Sequence, residues 1–513
     1  MMRKLSIQNL SQSKLLNYII LFLSGLLASF SLPPVNIFPL IFFLSIPFFY
    51  LIKCVNSKEA FVIGFLTAFG WFVFSFYWLS NALIIGGGVF LWMTPLVIFG
   101  FPAFLSCFWG LAFFLIKTFG KSISEKLILI TLLFPFFEWL RGNVFSGFPW
   151  NMIGFSLNNP IELSQTISFL GPFGQNILIV VLILIPVSIK LNKKIFTSIG
   201  LIFCFLVFSF SFYHYKTNSL KLSKNQVRIV QPNFSHHEKW DKKKFNENLQ
   251  KLTELSGKNE NNNFIIWPET AIVNFHENIN EELQNIIRTI FDGKKGYLLT
   301  GMPRKEYIEN IKYYYNSMYV FNNLGDVVAI YDKKKLVPFG EFNPFKNFLN
   351  YFRLIATNQE FSKGKDGNSF FKLDNLKIFP MICYEAIFPS RIGKINTFDV
   401  IINITNDHWF GDTFGPHQHH VLAKQRAIET GIPVIRVSNS GISSVIAPNG
   451  LELKQINYNE KGFIEFQVPE KFKPTLYLLY GESIYYYMSI ILLALFLYKR
   501  IQTIKLSLLK KYE

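Results

Sequence analysis

The chain has 513 residues, half of them hydrophobic, with 58 phenylalanines and a formal net charge of +18. Such a length holds several domains, and apolar residues gathered into long runs exclude a single water-soluble globule. More than half of the basic excess lies in the loops and ends of the apolar part, and the large Lys/Asn-rich segment is placed outside the membrane below, so no nucleic acid is expected as a partner. Two readings remain for that charge: a solvated surface of biased composition, or attraction to anionic lipid headgroups.

A spanning helix needs about 20 mostly apolar residues. Seven such runs precede residue 215, at about 15–31, 35–54, 59–80, 88–116, 126–140, 167–189 and 195–212, and an eighth lies at about 482–498. The first has basic flanks like a signal peptide, but six further runs follow it, so a retained anchor is expected. Lys and Arg collect in alternate loops: Arg3, Lys4 and Lys14, then Lys53 and Lys58, then Lys117, Lys121 and Lys126, then Lys190, Lys193 and Lys194, and finally Lys499 and Arg500. The intervening loops are nearly free of them. This pattern predicts cytoplasmic termini and an external segment of about 213–481, since long domains cross largely regardless of charge. The spans look poor in buried charge, which argues against a transporter. Glu138 and Arg141, at a span end, are read as a structural pair.

From residue 226 the pattern alternates. "VRIVQPN", "NFIIWPET", "GYLLTGMP", "SMYVFNN", "DVVAIYDKKKLV" and "DVIINITND" read as strands, and "FNENLQKLTELS" and "INEELQNIIRTIF" as amphipathic helices. "HHVLAKQRAIETG" reads as a helix stopped by Gly431. "PVIRVSNSG" and "SSVIAPNG" are expected to finish the core. Alternating helices and strands indicate an α/β layered domain. The expected division is 1–213 for a seven-span bundle, 222–470 for the α/β domain and 482–498 for a last span.

Three apolar strands end in polar residues: Glu269, Cys383 and Asn406-Asp407-His408. Ligands gather at strand ends in α/β folds, so these ends are expected to converge. Cys383 is the one external cysteine, so that domain has no internal disulfide. A cysteine after an apolar run is ordinarily a small buried hydrophobe. A nucleophilic role needs a base and a cation nearby, and Glu269 and one lysine of "YDKKKLVPFGE" are candidates. As a strand, that stretch puts Lys333 and Lys335 on one face and Lys334 on the other, without deciding between the pair. "SHHEKW" and "GPHQHH" lack zinc spacing, and no metal is expected.

Glu269 in "WPET", a lysine in "YDKKKLVPFGE" and Cys383 in "ICYE" resemble the Glu-Lys-Cys triad of the nitrilase, or carbon–nitrogen hydrolase, superfamily. With the spans, "FEWLRGNVFSGFPWNMIGFS", "LVPFGE", "NDHWFG" and "QRAIETGIPVIRVSNSGISSVIAPNG", nearly the whole chain resembles the apolipoprotein N-acyltransferase family. The resemblance implies a multi-span bundle with an extracytoplasmic αββα sandwich domain. It assigns Lys333 through the pattern Tyr331-x-Lys333-x-x-Leu336, and adds Glu341, Tyr384, Glu385 and Trp240 as supporting residues. His408 departs from the family, which more often has a small residue there.

The implied reaction needs no cofactor and is ping-pong. A phospholipid, with phosphatidylethanolamine expected, acylates Cys383, and the N-terminal amine of a diacylglyceryl-modified apolipoprotein takes the chain. The implied location is a bacterial inner membrane with the catalytic domain periplasmic. Phe342, Phe345, Phe348, Tyr351 and Phe352 suggest an apolar arm toward the bilayer, with a core-packed helix as the plainer alternative. A membrane-anchored hydrolase of small amides shares the triad and remains the rival reading. A catalytically silent receptor is disfavoured by the intact triad.

Overall fold

The structure is a computed structural model that describes residues 14–85, 91–257, 263–344, 360–365, 370–389 and 398–512. Most of the expected apolar arm, from Phe345 to Phe352, lies outside the described residues. The chain divides into two compact units. One, helical, comprises the chain to Ser80, Trp92–His214 and the chain from Tyr480. The other, α/β, comprises Asn81–Leu91 and Tyr215–Leu479.

Among the described residues, five helices are long and apolar enough to cross a membrane: Ser57–Ile85, Leu91–Phe119, Ile167–Lys190, Lys194–Thr217 and Ser483–Lys505. The other apolar runs fold as the helices Lys14–Ser29, Phe38–Lys53 and Ile123–Asn143. Asn56 and Ser122 cap two of these helices by accepting from the backbone N–H groups of Glu59 and Glu125. Helices Lys14–Ser29 and Ser57–Phe76 cross at Gly25 and Gly70, where a Cβ would collide with the carbonyls of Thr67 and Phe22. Small residues permit such close approach between apolar helices.

Charged residues buried within this unit are more numerous than the sequence suggests, since Glu125, Lys126, Glu138 and Arg141 are all enclosed. Each is bonded. Arg141 forks onto Glu138 at 3.0 and 2.9 Å and donates to the carbonyls of Phe148 and Trp150. Trp109 Nε1 donates to Glu138. Glu125 accepts from Arg500, and Lys126 donates to the Ile52 carbonyl. Glu138 and Arg141 are thus a structural pair, as expected.

The α/β unit holds two six-stranded sheets. The first has the order β12-β1-β2-β3-β4-β5, with β1 Leu222–Gln231, β2 Phe264–Ile266, β3 Tyr297–Ile308, β4 Ile311–Asn322, β5 Val327–Asp332 and β12 Gly462–Pro469. The second has the order β11-β10-β9-β8-β7-β6, with β6 Phe371–Leu373, β7 Leu376–Ile382, β8 Val400–Thr405, β9 Val434–Ser438, β10 Ser443–Ile446 and β11 Glu452–Ile456. The central pairs β1–β2, β2–β3, β7–β8 and β8–β9 are parallel. Parallel strands are covered on both faces, which explains why "FII" and "VIINIT" are continuous apolar runs rather than alternating ones.

The core between the sheets includes Val227, Ile229 and Ile266 from the first and Ile378, Ile402 and Ile435 from the second. Leu249 and Leu252 of the Phe245–Ser256 helix, with Leu283 and Ile287 of the His276–Phe291 helix, cover the outer face of the first sheet. Ala423 and Ala427 of the Phe414–Thr430 helix cover the second. The order is helix, sheet, sheet, helix.

Three differences from the sequence reading have physical causes. Strands β3 and β4 form one long hairpin through Glu309 and Asn310, both at positive φ, a two-residue turn matched to strand twist. β10 does not finish the core, because β11 pairs with β10 and β12 pairs with β1. β5 ends at Asp332, so the three lysines do not alternate as a strand. Lys333 is buried, while Lys335 is exposed. Gly431, at φ +71°, ends the Phe414–Thr430 helix as expected.

Candidate active site

Each candidate residue is set by the end of a strand. β2 runs into Trp267, whose N–H bonds the Leu299 carbonyl at 2.9 Å, and Pro268 accepts from Gly301 N–H at 3.2 Å. These bonds turn the chain at Glu269. Gly301 is required here, because a Cβ would lie 2.7 Å from the Cα of Glu269. At the end of β5, Asp332 is clasped by Arg304 at 2.9 and 2.6 Å and accepts from Ser317 Oγ at 2.6 Å. Lys333 follows at once, its N–H bonded to the Asn316 carbonyl. At the end of β7, Cys383 has φ +50° and opens a 3-10 turn, Cys383–Ile387. A left-handed backbone is unfavourable for a residue with a Cβ.

The side chains of Lys333 and Asn316 bridge the same two carboxylates. Lys333 Nζ lies 2.9 Å from Glu341 Oε1 and 3.4 Å from Glu269 Oε1. Asn316 Nδ2 lies 2.9 Å and 2.8 Å from those oxygens. Glu341 is held in turn by Val337 N–H at 2.8 Å. Burial opposes the charge on Lys333, but the carboxylates of Glu341 and Glu269 outweigh it and hold its pKa above the usual lysine range. Cys383 shows the reverse: burial first, then the Glu269 carboxylate, push its thiol well up, against the pull of Lys333 and of a Thr405 hydrogen bond. Burial and the Glu269 carboxylate thus favour the protonated thiol over the thiolate.

Glu385 is fully buried and does not touch the Lys333 ammonium. It accepts from the N–H groups of Lys334 at 2.7 Å, Lys335 at 3.1 Å and Ile382 at 2.9 Å, and from Tyr331 Oη at 3.0 Å. It thus ties the end of β7 to the end of β5, across the two sheets. Tyr384 is buried, its hydroxyl pKa raised by that burial.

Sequence reasoning missed Asn316, Lys239, Thr405, Arg436 and the part played by His419. The short helix His236–Trp240, closed by a Ser235–Glu238 capping box, carries Lys239 inward and leaves Trp240 42% exposed at a rim. Lys239 Nζ donates to the Glu269 carbonyl at 3.0 Å. At the same rim the His236 ring lies 4.8 Å from Trp409 and stacks at 6.4 Å with His408. Burial, then His408 and Lys239, push His236 down to about 4.

The "GPHQHH" histidines separate. His419 faces Asp407 and Cys383, whereas His420 faces Glu452 at 3.4 Å. Among the described residues, no group of three or more His, Cys, Asp or Glu side chains is placed to hold a metal ion.

Residues 24–185 match the apolipoprotein N-acyltransferase N-terminal domain, and residues 226–474 match the carbon–nitrogen hydrolase domain. A protein of Rickettsia prowazekii named apolipoprotein N-acyltransferase is 31% identical over 475 residues, covering 90% of this chain and 94% of its own. The chain belongs to the apolipoprotein N-acyltransferase family. Another member, from Rhizobium rhizogenes, is 33% identical over 474 residues, covering 86% of this chain and 88% of its own. Among solved structures, an amidase of the nitrilase superfamily from Nesterenkonia covers 48% of this chain and 92% of its own, at 16% identity and a TM-score of 0.35. A Saccharomyces cerevisiae member of that superfamily covers 48% and 91%, at 19% identity and a TM-score of 0.37. The chain thus joins an apolar helical part to a carbon–nitrogen hydrolase part.

Proposed function

We propose that this chain is a bacterial membrane acyltransferase that N-acylates the N-terminal diacylglyceryl-cysteine of apolipoproteins, with a phospholipid as donor and Cys383 as the carrier. Its family supports the activity. The observation that carries the mechanism is the meeting of Glu269, Lys333 and Cys383 at strand ends from two facing sheets.

Glu269 takes the thiol proton as Sγ attacks the ester carbonyl, which suits a thiol whose protonated form is favoured. The tetrahedral oxyanion is held by the Lys333 ammonium and a main-chain N–H after Cys383. The oxyanion collapses to a thioester, the ester C–O bond breaks, and the lysophospholipid oxygen takes the proton from Glu269. The lipoprotein amine then attacks the thioester carbonyl, giving up a proton to Glu269. An amide forms and the C–S bond breaks, with the thiolate regaining a proton. Glu341 and Asn316 hold Lys333 and Glu269 together, and Trp240 borders the entrance. Phosphatidylethanolamine is the expected donor.

The loop charges support an inner-membrane protein with cytoplasmic termini and the 222–470 domain in the periplasm, between the 1–213 bundle and a last span at 482–498. The test is intact-protein mass spectrometry of the detergent-purified chain after incubation with phosphatidylethanolamine. A hydroxylamine-sensitive gain of one acyl chain is expected, absent from Cys383→Ser. Folded protein with lipid and no adduct would instead favour a small-amide hydrolase.

A further inference from the structure

Behind Cys383 lies a second polar system, which the proposed mechanism does not use. Asp407, just past the end of β8, accepts from three sides: His419 Nδ1 at 2.7 Å, Arg436 Nη2 at 2.5 Å and Thr405 Oγ1 at 3.2 Å. The other nitrogen of His419, Nε2, lies 3.2 Å from the carbonyl oxygen of Cys383. Thr405, bonded to Asp407, also favours the Cys383 thiolate. Thr405, Asp407, His419 and Arg436 are all completely enclosed. One arm therefore leaves this carboxylate and reaches the main chain of Cys383 through His419, while Thr405 holds the carboxylate from another side.

We infer that the Arg436–Asp407–His419 chain is a positioning device for the nucleophile, holding the Cys383 carbonyl so that the left-handed turn aims the thiol at its acyl target. His419 and Asp407 are positioning residues in this scheme, since neither touches substrate. His419 Nδ1 lies 2.7 Å from Asp407 and 3.2 Å from Arg436 Nη2, and Nε2 is placed to donate to the Cys383 carbonyl. Cys383 needs such a hold, because a strained backbone persists only where its surroundings over-determine it. The same bond polarises the Cys383–Tyr384 peptide, whose N–H the proposed mechanism places beside the oxyanion. Arg436 offsets the negative charge of Asp407 and leaves it no freedom to turn away.

The acylation part of this inference rests on the proposed function, so the test uses one readout that depends on that function and one that does not. The full-length protein in detergent is treated with iodoacetamide, and the alkylation rate at Cys383 is read by peptide mass spectrometry. Acyl-thioester formation from phosphatidylethanolamine is followed in parallel, for the wild type, His419→Leu, His419→Gln and Thr405→Val. His419→Leu should slow both reactions by about 100-fold, the loss that follows a misplaced reacting group. The lipid KM should stay within about twofold, because ground-state binding is untouched. His419→Gln keeps one N–H for the Cys383 carbonyl and should recover much of the alkylation rate, a rescue that a general packing role would not give.

Wild-type alkylation in His419→Leu, or no rescue by His419→Gln, overturns the inference. Should His419→Leu fail to fold, Thr405→Val, which removes one hold on Asp407, takes its place: wild-type alkylation at Cys383 in that variant overturns the inference, and slowed alkylation supports it. A wild type that is alkylated at Cys383 but forms no acyl-thioester would defeat the proposed function instead. The alkylation series would then still decide the positioning.

Discussion

Lys239 Nζ donates to the main-chain oxygen of Glu269 at 3.0 Å, so the rim helix that carries Trp240 is tied to the turn that carries the proposed base. Lys239 is 3% exposed. Burial pushes its pKa down to about 8, against the attraction of Glu269 and Cys383. A lysine lowered in the folded state binds fewer protons there than in the unfolded chain, between that value and the ordinary one near 10.4. Stability from this group therefore rises with pH across that window. The melting temperature of the wild type, minus that of Lys239→Met, should climb between pH 8 and 10 and be flat below pH 7. A difference independent of pH would show that Lys239 stays charged in its enclosed position.

Glu341 is the larger attraction on the buried Lys333 ammonium, after the opposing effect of burial. Glu341→Gln leaves that ammonium with Glu269 alone, at 3.4 Å. Removing one partner of a buried pair costs about 3–5 kcal/mol. Lys333 has a raised pKa, so the stability it contributes is complete below the unfolded value and is lost as pH rises through the folded one. The wild type should therefore outmelt Glu341→Gln at neutral pH, and the margin should shrink only in strong alkali. Thioester formation should fall about 100-fold, since oxyanion donors are worth that much when aimed correctly. Wild-type acylation in the variant would show that Glu269 and Asn316 suffice to place the lysine.

Much of this site was legible from the chain itself, and what was not has identifiable causes. Glu269, Cys383 and Asp407 each follow a continuous apolar run, so their meeting at strand ends follows from where parallel strands stop. Lys333 could not be separated from Lys335 by alternation, because β5 stops at Asp332 and Glu385 then captures the N–H groups of Lys334 and Lys335. Only the family pattern pointed to Lys333, the buried one. His419 was weighed as a metal ligand because it sits among histidines. Its partners, Asp407 and Cys383, come from two other elements, and no local spacing announces that. Asn316 and Lys239 are ordinary polar residues in sequence and become notable only through burial. The helical unit was legible as apolar runs, but the enclosed Glu125 and Lys126 were hidden by their place among loop charges.

Glu385 accepts from at least four donors around the ends of β5 and β7, including Tyr331 Oη. Its first effect should be on stability rather than chemistry. Hydrogen bonds to a charged acceptor contribute about 1.5–3 kcal/mol each, and an amide substituted for the carboxylate cannot receive all four. Glu385→Gln should lose several kcal/mol in denaturant unfolding of the α/β unit, and Tyr331→Phe only about 1.5–3 kcal/mol. If Glu385→Gln instead unfolds like the wild type while losing acylation, the carboxylate acts on the reaction rather than on the junction of β5 and β7.

Gly301 gives the sharpest steric test of where Glu269 must sit. Its N–H bonds the Pro268 carbonyl at 3.2 Å, and its own carbonyl accepts from Ile272 at 3.3 Å, so β3 grips the turn from both sides. An added Cβ would lie 2.7 Å from the Cα of Glu269 and closer still to the N of Thr270, which has φ +44°. These are backbone atoms, and they cannot swing aside as a side-chain tip can. Gly301→Ala must therefore push the Glu269 turn away from Asn316 and Lys333. Overpacking of this kind costs about 1–3 kcal/mol, which a domain of this size can survive. The displacement should matter far more to the reaction, with thioester formation down about 100-fold in protein that still melts cooperatively. The measurement pairs a thermal melt with the rate of Cys383 acylation. A folded Gly301→Ala protein that acylates at the wild-type rate would mean that the base tolerates a retreat of the turn, and that the carboxylate need not be fixed against Lys333 as tightly as the structure holds it.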